Sequence, residues 1–313
     1  VVELGMPLAW VSEEEGGSGM SIADGFSIIY RAGKYTIPSH LIESLMAAWH
    51  LSHSEIAIIS PSLTTVSSQN INIAWTEENT LDGELRHVPY AEEAEFIVLP
   101  ITRDYGSALL AIRTSDCEID HHVNIAGEPR NHVVLSNVVP ECIAESDCAS
   151  DLLNHDLLGA CARSCQMAGA MDRILELTLE YAQEREQFGR PLSKFQVIQQ
   201  NIARLAGEVA AAKAASDAAS MSLIVNGLED EKAIVAIMAA KIRCGEAANV
   251  VSRLSHQIHG AMGFTREYKL HRSTRRLWAW RDEYGSEAYW AKRLGQKVCA
   301  LEKQSLWPLI AEG

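Results

Sequence analysis

No apolar run in these 313 residues is long enough to span a bilayer, and Val1–Gly5 lacks the basic residues that open a secretory leader. The expectation is a cytoplasmic protein that does not enter a membrane, although a first residue of Val rather than Met is compatible with a piece upstream. Cysteine pairs at metal or redox spacing are missing too. The seven cysteines, at 117, 142, 148, 161, 165, 244 and 299, include no CxxC, which argues for reduced, mostly buried thiols and against zinc. Bases are outnumbered, 27 against 41 acids, for a formal charge of −14. Such a surface repels polyphosphate, so nucleic acid is not an expected partner. There is no Ser-His-Asp order, no P-loop, no internal repeat and no low-complexity tract.

What is there is an ordinary globular composition, 47% hydrophobic and 22% charged. Ile22, Phe26, Ile29 and Tyr30 recur at helix spacing after a Glu15-Gly16-Gly17-Ser18-Gly19 loop. Ile71, Ile73 and Trp75 alternate as in a half-buried strand. Phe96–Ile101 and Ala108–Ile112 are apolar runs joined through Arg103-Asp104-Tyr105-Gly106, a hairpin signal, and His132–Asn137 supplies another strand. The chain therefore divides into a helical part at 1–51, a small β domain at 52–147 and a helical bundle at 148–313. The fold class is α+β, mainly α.

In the bundle, Met171, Ile174, Leu175 and Leu179 mark a helix expected from Ala149 to Gln187, stopped by Gly189-Arg190-Pro191. Ser193 and Gln196 have capping-box spacing ahead of Ile198, Ile202, Leu205 and Val209. Asn226-Gly227 ends that helix. Asp230 can cap a third through Ile234, Ile237, Lys241 and Ile242, which Gly260 and Gly263 break. A last helix is expected over Glu287–Lys303. Four long antiparallel helices make a bundle with a sizeable core.

Two segments carry chemistry. Arg185-Glu186-Gln187-Phe188-Gly189-Arg190-Pro191-Leu192, with Phe195-Gln196 behind it, sets a guanidinium, an amide and an aromatic face beside a glycine turn. Those groups suit a flat, phosphate-bearing ligand. Gln257-Ile258-His259-Gly260-Ala261-Met262-Gly263-Phe264-Thr265 adds a glutamine and glycines that let backbone approach a ligand closely. Taken singly, each also reads as a plain helix corner.

In this order, with two helices between, the segments resemble the acyl-CoA dehydrogenase family, whose pattern is R-x-x-F-G and then Q-x-x-G-G-x-G. The resemblance covers about 149–303 and, more loosely, Gly16-Gly17-Ser18-Gly19-Met20-Ser21. It implies a helical N-terminal part, a middle β domain and a C-terminal four-helix bundle. It implies FAD as cofactor, reached across a dimer interface. Arg185 would bind the pyrophosphate and Phe188 would pack near the adenine. Gln187, Gln257, Gly260 and Ser286 would contact the same cofactor. It implies α,β-desaturation of a CoA thioester, with electrons passed to an electron-transfer flavoprotein.

The family's base is a glutamate just before a Gly-Thr pair, and counting from Gly263 puts that pair on Gly285-Ser286 and the base on Tyr284. A phenol with pKa near ~10 is a poor base at neutral pH. The alternative base position on the first long helix falls at Gly159. Glu283 is one residue from the usual site, but among Arg281 and Asp282 it reads as a solvated charge. The flavin-touching T-E-P-x-x-G-S-D-like stretch reduces to Trp75-Thr76-Glu77-Glu78-Asn79-Thr80, where Trp75 is read as a core residue. Both losses resemble short members that form α2β2 heterotetramers in steroid side-chain breakdown, where a homologous partner supplies the base. The alternatives are a homotetrameric enzyme using Glu283, or a silent scaffold relative. Trp278, Trp280 and Trp290, with Trp307 further on, read either as the lining of a large apolar pocket or, more commonly for such residues, as core or interface packing. His121-His122 reads as a solvated loop pair, and His259 as positional. The basic group Arg272, Arg275, Arg276 and Arg281 reads equally as a phosphate contact or as partners of the many acids.

Overall fold

The computed structural model describes residues 5–300 except 55, 58–59, 77, 104–105 and 147–150. Glu77, the Asp104-Tyr105 turn, Cys148, Ala149, Lys303 and Trp307 lie outside the described residues. The chain forms two compact units, one from the residues up to Gly25 with Pro38–Gly159, the other from Phe26–Ile37 with the chain from Ala160 on.

In the first unit, β1 (Leu63–Thr64), β4 (Phe96–Arg103), β5 (Gly106–Arg113) and β8 (Cys142–Ser146) make one sheet in the order β1-β4-β5-β8. A second sheet orders β2 (Ile71–Trp75), β3 (Leu81–Pro89), β7 (Arg130–Val138) and β6 (Glu118–Asp120) as β2-β3-β7-β6. Only β1–β4 is parallel among these pairings. The hairpin read from the two apolar runs is β4–β5, with Phe96 opposite Arg113 and Thr102 opposite Ser107. β4 is apolar without alternation because both its faces are covered. Ile97, Leu99 and Ile101 pack with Leu81, Val88 and Leu135. Phe96 and Val98 pack with Ala47 and Leu51 of α2 (Leu41–His53). A strand buried on both sides reads as a continuous hydrophobic run.

The second unit is helical: most of α1 (Ile22–Lys34) and of α3 (Asp151–Glu184), then α4 (Gln196–Asn226), α5 (Glu231–His259), α6 (Leu270–Trp280) and α7 (Glu287–Ala300). α1 and α3 touch backbone to backbone. A Cβ on Gly33 would sit 2.0 Å from the Gln166 carbonyl oxygen, and one on Gly169 2.0 Å from that of Tyr30. The Tyr30 hydroxyl and Lys34 Nζ each reach Asp172 Oδ2 at 2.8 Å beside that contact. The core joins Met171 and Ile174 of α3 with Leu205 and Val209 of α4, Ala248 and Val251 of α5, and Leu277 and Trp280 of α6. Burying side chains of this size stabilises by about 1.5–3 kcal/mol each.

Three local expectations change. Ser193 does not cap α4: it lies in a short 3-10 turn, Leu192–Lys194, and Phe195 occupies the cap position with no side-chain bond. The Phe195 carbonyl accepts from Ile198 and Gln199, and Gln199 Nε2 reaches back to the Ser193 carbonyl at 2.9 Å. α3 stops at Glu184 rather than Gln187, because Glu186–Gln187 (β9) and Arg190–Pro191 (β10) pair as a two-residue hairpin. The fourth helical layer is two pieces, α6 and α7, separated by a turn at residues 281–286. Asp230 does cap α5, accepting from Lys232 N at 2.8 Å. No helix among the described residues is long and apolar enough to cross a membrane.

Candidate functional site

The hairpin after α3 puts its turn on Phe188 and Gly189, both left-handed at φ 53° and 76°. That backbone projects Phe188 outward, where it is 94% exposed. The guanidinium of Arg190 lies 4.2 Å from the Phe195 ring and steadies the hairpin. Leu192 N donates to the Arg185 carbonyl at 2.9 Å and closes it. Arg185 and Gln187 are exposed, and no acid pairs with Arg185 among the described residues.

The second segment ends α5 and turns at Gly260. Its φ of 58° and ψ of −139° are costly for any residue with a Cβ. Gln257 and Gly260 are exposed, while His259 is buried. His259 Nδ1 lies 2.7 Å from the Ser255 carbonyl, and burial lowers the imidazole's pKa, so it stands as a neutral structural group. The Tyr181 hydroxyl donates to the His259 carbonyl at 3.2 Å, and the two rings stack at 4.4 Å. Tyr181 is one turn before Arg185, so this contact brings the two segments together at one end of the bundle.

A separate cluster surrounds the α6–α7 turn. Tyr284 is 3% exposed and left-handed, at φ 54°. Its carbonyl accepts from Trp290 Nε1 at 2.8 Å. Lys241 of α5, fully buried, donates to the carbonyls of Arg281 at 2.6 Å and Gly285 at 2.7 Å, on either side of it. Burial, and then the charge of Arg163, bring the Lys241 ammonium down to a pKa of about 7. Buried Arg163 of α3 pairs with Glu283 at 2.6 Å, and its Cζ is 5.6 Å from the Trp280 ring and 5.8 Å from that of Tyr284. Ser286 heads α7, with Tyr289 N donating to its Oγ at 3.3 Å.

Residues 157–295, which carry both segments and this turn, match the family model described as acyl-CoA dehydrogenase, C-terminal domain. Residues 157–295 thus form an acyl-CoA dehydrogenase C-terminal domain. Over 274 residues the chain is 23% identical to acyl-CoA dehydrogenase IpdE2 of Mycobacterium tuberculosis, covering 86% of this chain and 76% of that protein. Its fold is that of the ChsE4–ChsE5 complex from Mycobacterium tuberculosis, with TM-score 0.83, 19% identity and coverage of 96% and 87%. It is also that of a variant of the Tcur3481–Tcur3483 steroid ACAD, with TM-score 0.84, 20% identity and coverage of 95% and 86%.

For an acyl-CoA dehydrogenase C-terminal domain, the corner at Arg185, Gln257 and Gly260 fits a cofactor diphosphate by its donor chemistry. It offers an exposed cation and an exposed amide, and nothing lies within 4 Å of where a Gly260 Cβ would be. Ala261, in place of the family's second glycine, is itself exposed. Between β2 and β3, Thr76 N donates to the Thr80 carbonyl at 2.9 Å. Trp75 packs half-buried against the sheet core.

Glu283 is not the solvated charge its neighbours Arg281 and Asp282 suggested; its partner is Arg163 of α3. Trp280 and Trp290 are core, as read, whereas Trp278 lines a cleft. His121 and His122 are exposed in a loop, with His121 Nε2 2.6 Å from Glu92. The residues that reading missed are Arg163, Lys241 and Tyr181. A lone arginine in the apolar run 157–171 was the available signal for Arg163.

Proposed function

We propose that this chain is a subunit of a FAD-dependent acyl-CoA dehydrogenase and lacks the catalytic base. It would work in an α2β2 heterotetramer with a homologous partner that supplies the glutamate. The reaction is α,β-desaturation of a CoA thioester, and a steroid side-chain thioester is the proposed substrate class. Electron-transfer flavoprotein is the proposed acceptor and the cytoplasm the proposed setting.

The observation that carries this reading is the division of the second unit. One end keeps outward-facing Arg185, Phe188 and Gln257, while the base turn holds a buried tyrosine. FAD, when bound, supplies the acceptor for the hydride that leaves the β carbon. Arg185 holds the diphosphate, Phe188 covers the adenine, and Gln257 with the Gly260 backbone completes the contact. Tyr284 has no carboxylate with which to take the α proton, and Glu283 is committed to Arg163. The α proton therefore goes to the partner's carboxylate. The heteromeric and steroid parts draw support from the fold shared with the ChsE4–ChsE5 complex and the Tcur3481–Tcur3483 steroid ACAD.

The test is thioester-dependent dye reduction by this chain alone, by a co-expressed homologous partner alone, and by both. Turnover only by the pair supports the reading. Absence of turnover and of flavin in every preparation leaves the scaffold alternative. A steroid-CoA should be preferred over a plain fatty acyl-CoA, and the reverse preference removes the steroid assignment.

A further inference from the structure

The basic group that stands out in sequence divides in the structure. Arg281 is committed to the chain's own groups: it pairs with Glu287, and its Nη1 donates to Asn249 Oδ1 at 2.8 Å. Arg272 is exposed, as is Lys269 just before α6. Neither has an acid partner among the described residues, in a chain whose formal charge is −14.

These cations share one side of α6. Leu270, Ser273, Thr274, Leu277 and Trp280 form its buried side. At about 100° per residue, Lys269, Arg272, Arg275 and Arg276 fall together on the other side. No Asp or Glu occurs from Tyr268 to Arg281. The arrangement works against the helix itself. Like charges three and four residues apart repel. The first turn, where the macrodipole favours acids, holds no acid, and no side chain caps it.

The same face borders the corner of Arg185 and Gln257. The Tyr268 hydroxyl, at the head of α6, donates to the Leu177 carbonyl at 3.3 Å, and its ring meets that of Tyr181 edge-on at 5.7 Å. Thr274 Oγ1 lies 3.0 Å from Nε2 of His256, the residue before Gln257. Lys269 and Arg272 are not among the residues lining the cleft of Gln257, Gly260 and Trp278, so they stand apart from the cofactor contacts proposed above.

We propose that the cation face of α6 docks an acidic surface of the homologous partner subunit. The inference rests on the heteromeric reading, in which the partner meets this chain at that corner. In a closed pair of identical chains the same patch serves both sides of the two-fold axis. The cations of α6 would then enter twice, and residues 268–281 would bring no acid to meet them. A homologous chain of the same fold can carry Asp or Glu there. Juxtaposed like charges exclude the wrong partner, and complementary charges speed association with the right one. A local acidic protein surface also suits an 11-residue helix about 16 Å long. An anionic bilayer or a nucleic acid would extend past it onto a surface of net negative charge.

Sedimentation velocity of the complex co-expressed with the homologous partner, diluted at about 0.05 M and 0.5 M sodium chloride, tests it. For the native chain the dissociation constant should rise about tenfold at the higher salt. Lys269→Glu with Arg272→Glu should weaken the complex about tenfold at low salt and remove the salt dependence. Lys269→Arg with Arg272→Lys should leave both unchanged. Melting of the doubly Glu-substituted chain should not fall, because repulsion within α6 is relieved. Equal dissociation constants and salt slopes for the native and doubly Glu-substituted complexes overturn the proposal. Salt-sensitive self-association of the native chain alone, lost on Glu substitution while the complex is unaffected, overturns it in favour of a second copy. Binding to phosphatidylglycerol vesicles lost in the same way overturns it in favour of lipid. A flavin-containing complex indifferent to both substitutions overturns the docking face alone, whereas a native chain that forms no complex overturns the heteromeric reading with it.

Discussion

The hydroxyl of Tyr181 donates to the carbonyl of His259 across 78 residues of sequence, at 3.2 Å, with the two rings stacked at 4.4 Å. This contact ties the end of α3 to the end of α5, and so sets Arg185 and Gln257 at a common corner. Neither residue needs to touch a ligand for the corner to depend on it.

Tyr181→Phe keeps the stack and loses the hydrogen bond, so it should cost about 1 kcal/mol in urea unfolding. Tyr181→Leu loses both contacts and should reduce flavin retained by the purified complex several-fold. Unchanged flavin retention in Tyr181→Leu would show that the corner is held by other contacts.

Lys241 predicts a pH dependence. Its folded pKa of about 7 lies below the ~10.4 of an unfolded lysine, so between those values the unfolded chain binds a proton that the folded chain does not. Stability from this group therefore rises with pH above 7, by roughly 2–3 kcal/mol between pH 7 and 9, and is lost as pH falls to 7. Lys241→Met should lower stability at pH 9, because the carbonyls of Arg281 and Gly285 lose their donor, and should flatten this slope. Urea unfolding of both proteins at pH 7, 8 and 9 checks it; parallel slopes would contradict it.

Arg163 and Glu283 should behave as a structural pair. Arg163→Met strands the Glu283 carboxylate and should destabilise by about 3 kcal/mol. Glu283→Gln should lower stability less, because the amide oxygen can still accept from Arg163, and should leave turnover of the complex within twofold. Loss of turnover in a folded Glu283→Gln complex would restore Glu283 as the base.

Tyr284 should prove dispensable for proton transfer. Tyr284→Phe in the complex should leave kcat and its pH profile unchanged, because the ring's packing beside Arg163 is kept. Tyr284→Glu should not create a working site in this chain alone, since the turn is fixed by Lys241 and Trp290 with the side chain buried.

Local punctuation made the bundle legible in sequence. Asn226-Gly227, Asp230 and Gly260 stand at helix ends, Gly189-Arg190-Pro191 lies in the hairpin between α3 and α4, and the runs at Phe96 and Ala108 pair as read. α6 was hidden because Arg272, Arg275 and Arg276 break the apolar pattern of a helix whose buried side is only Leu270, Ser273, Thr274, Leu277 and Trp280. Ser193 misled because capping-box spacing also arises in a 3-10 turn. The locks on the base turn were illegible for a different reason. Lys241 acts on carbonyls 40 and 44 residues away, and Arg163 of α3 on a carboxylate in the α6–α7 turn, so neither has a local signature.

FAD per chain is the most direct measurement of the central claim. The chain would be purified alone and co-purified with a homologous partner, and flavin absorption compared with protein concentration. The account predicts flavin only in the complex, at about one per two chains. One flavin per chain in the protein purified alone, with thioester turnover, would contradict it and make this a self-sufficient enzyme.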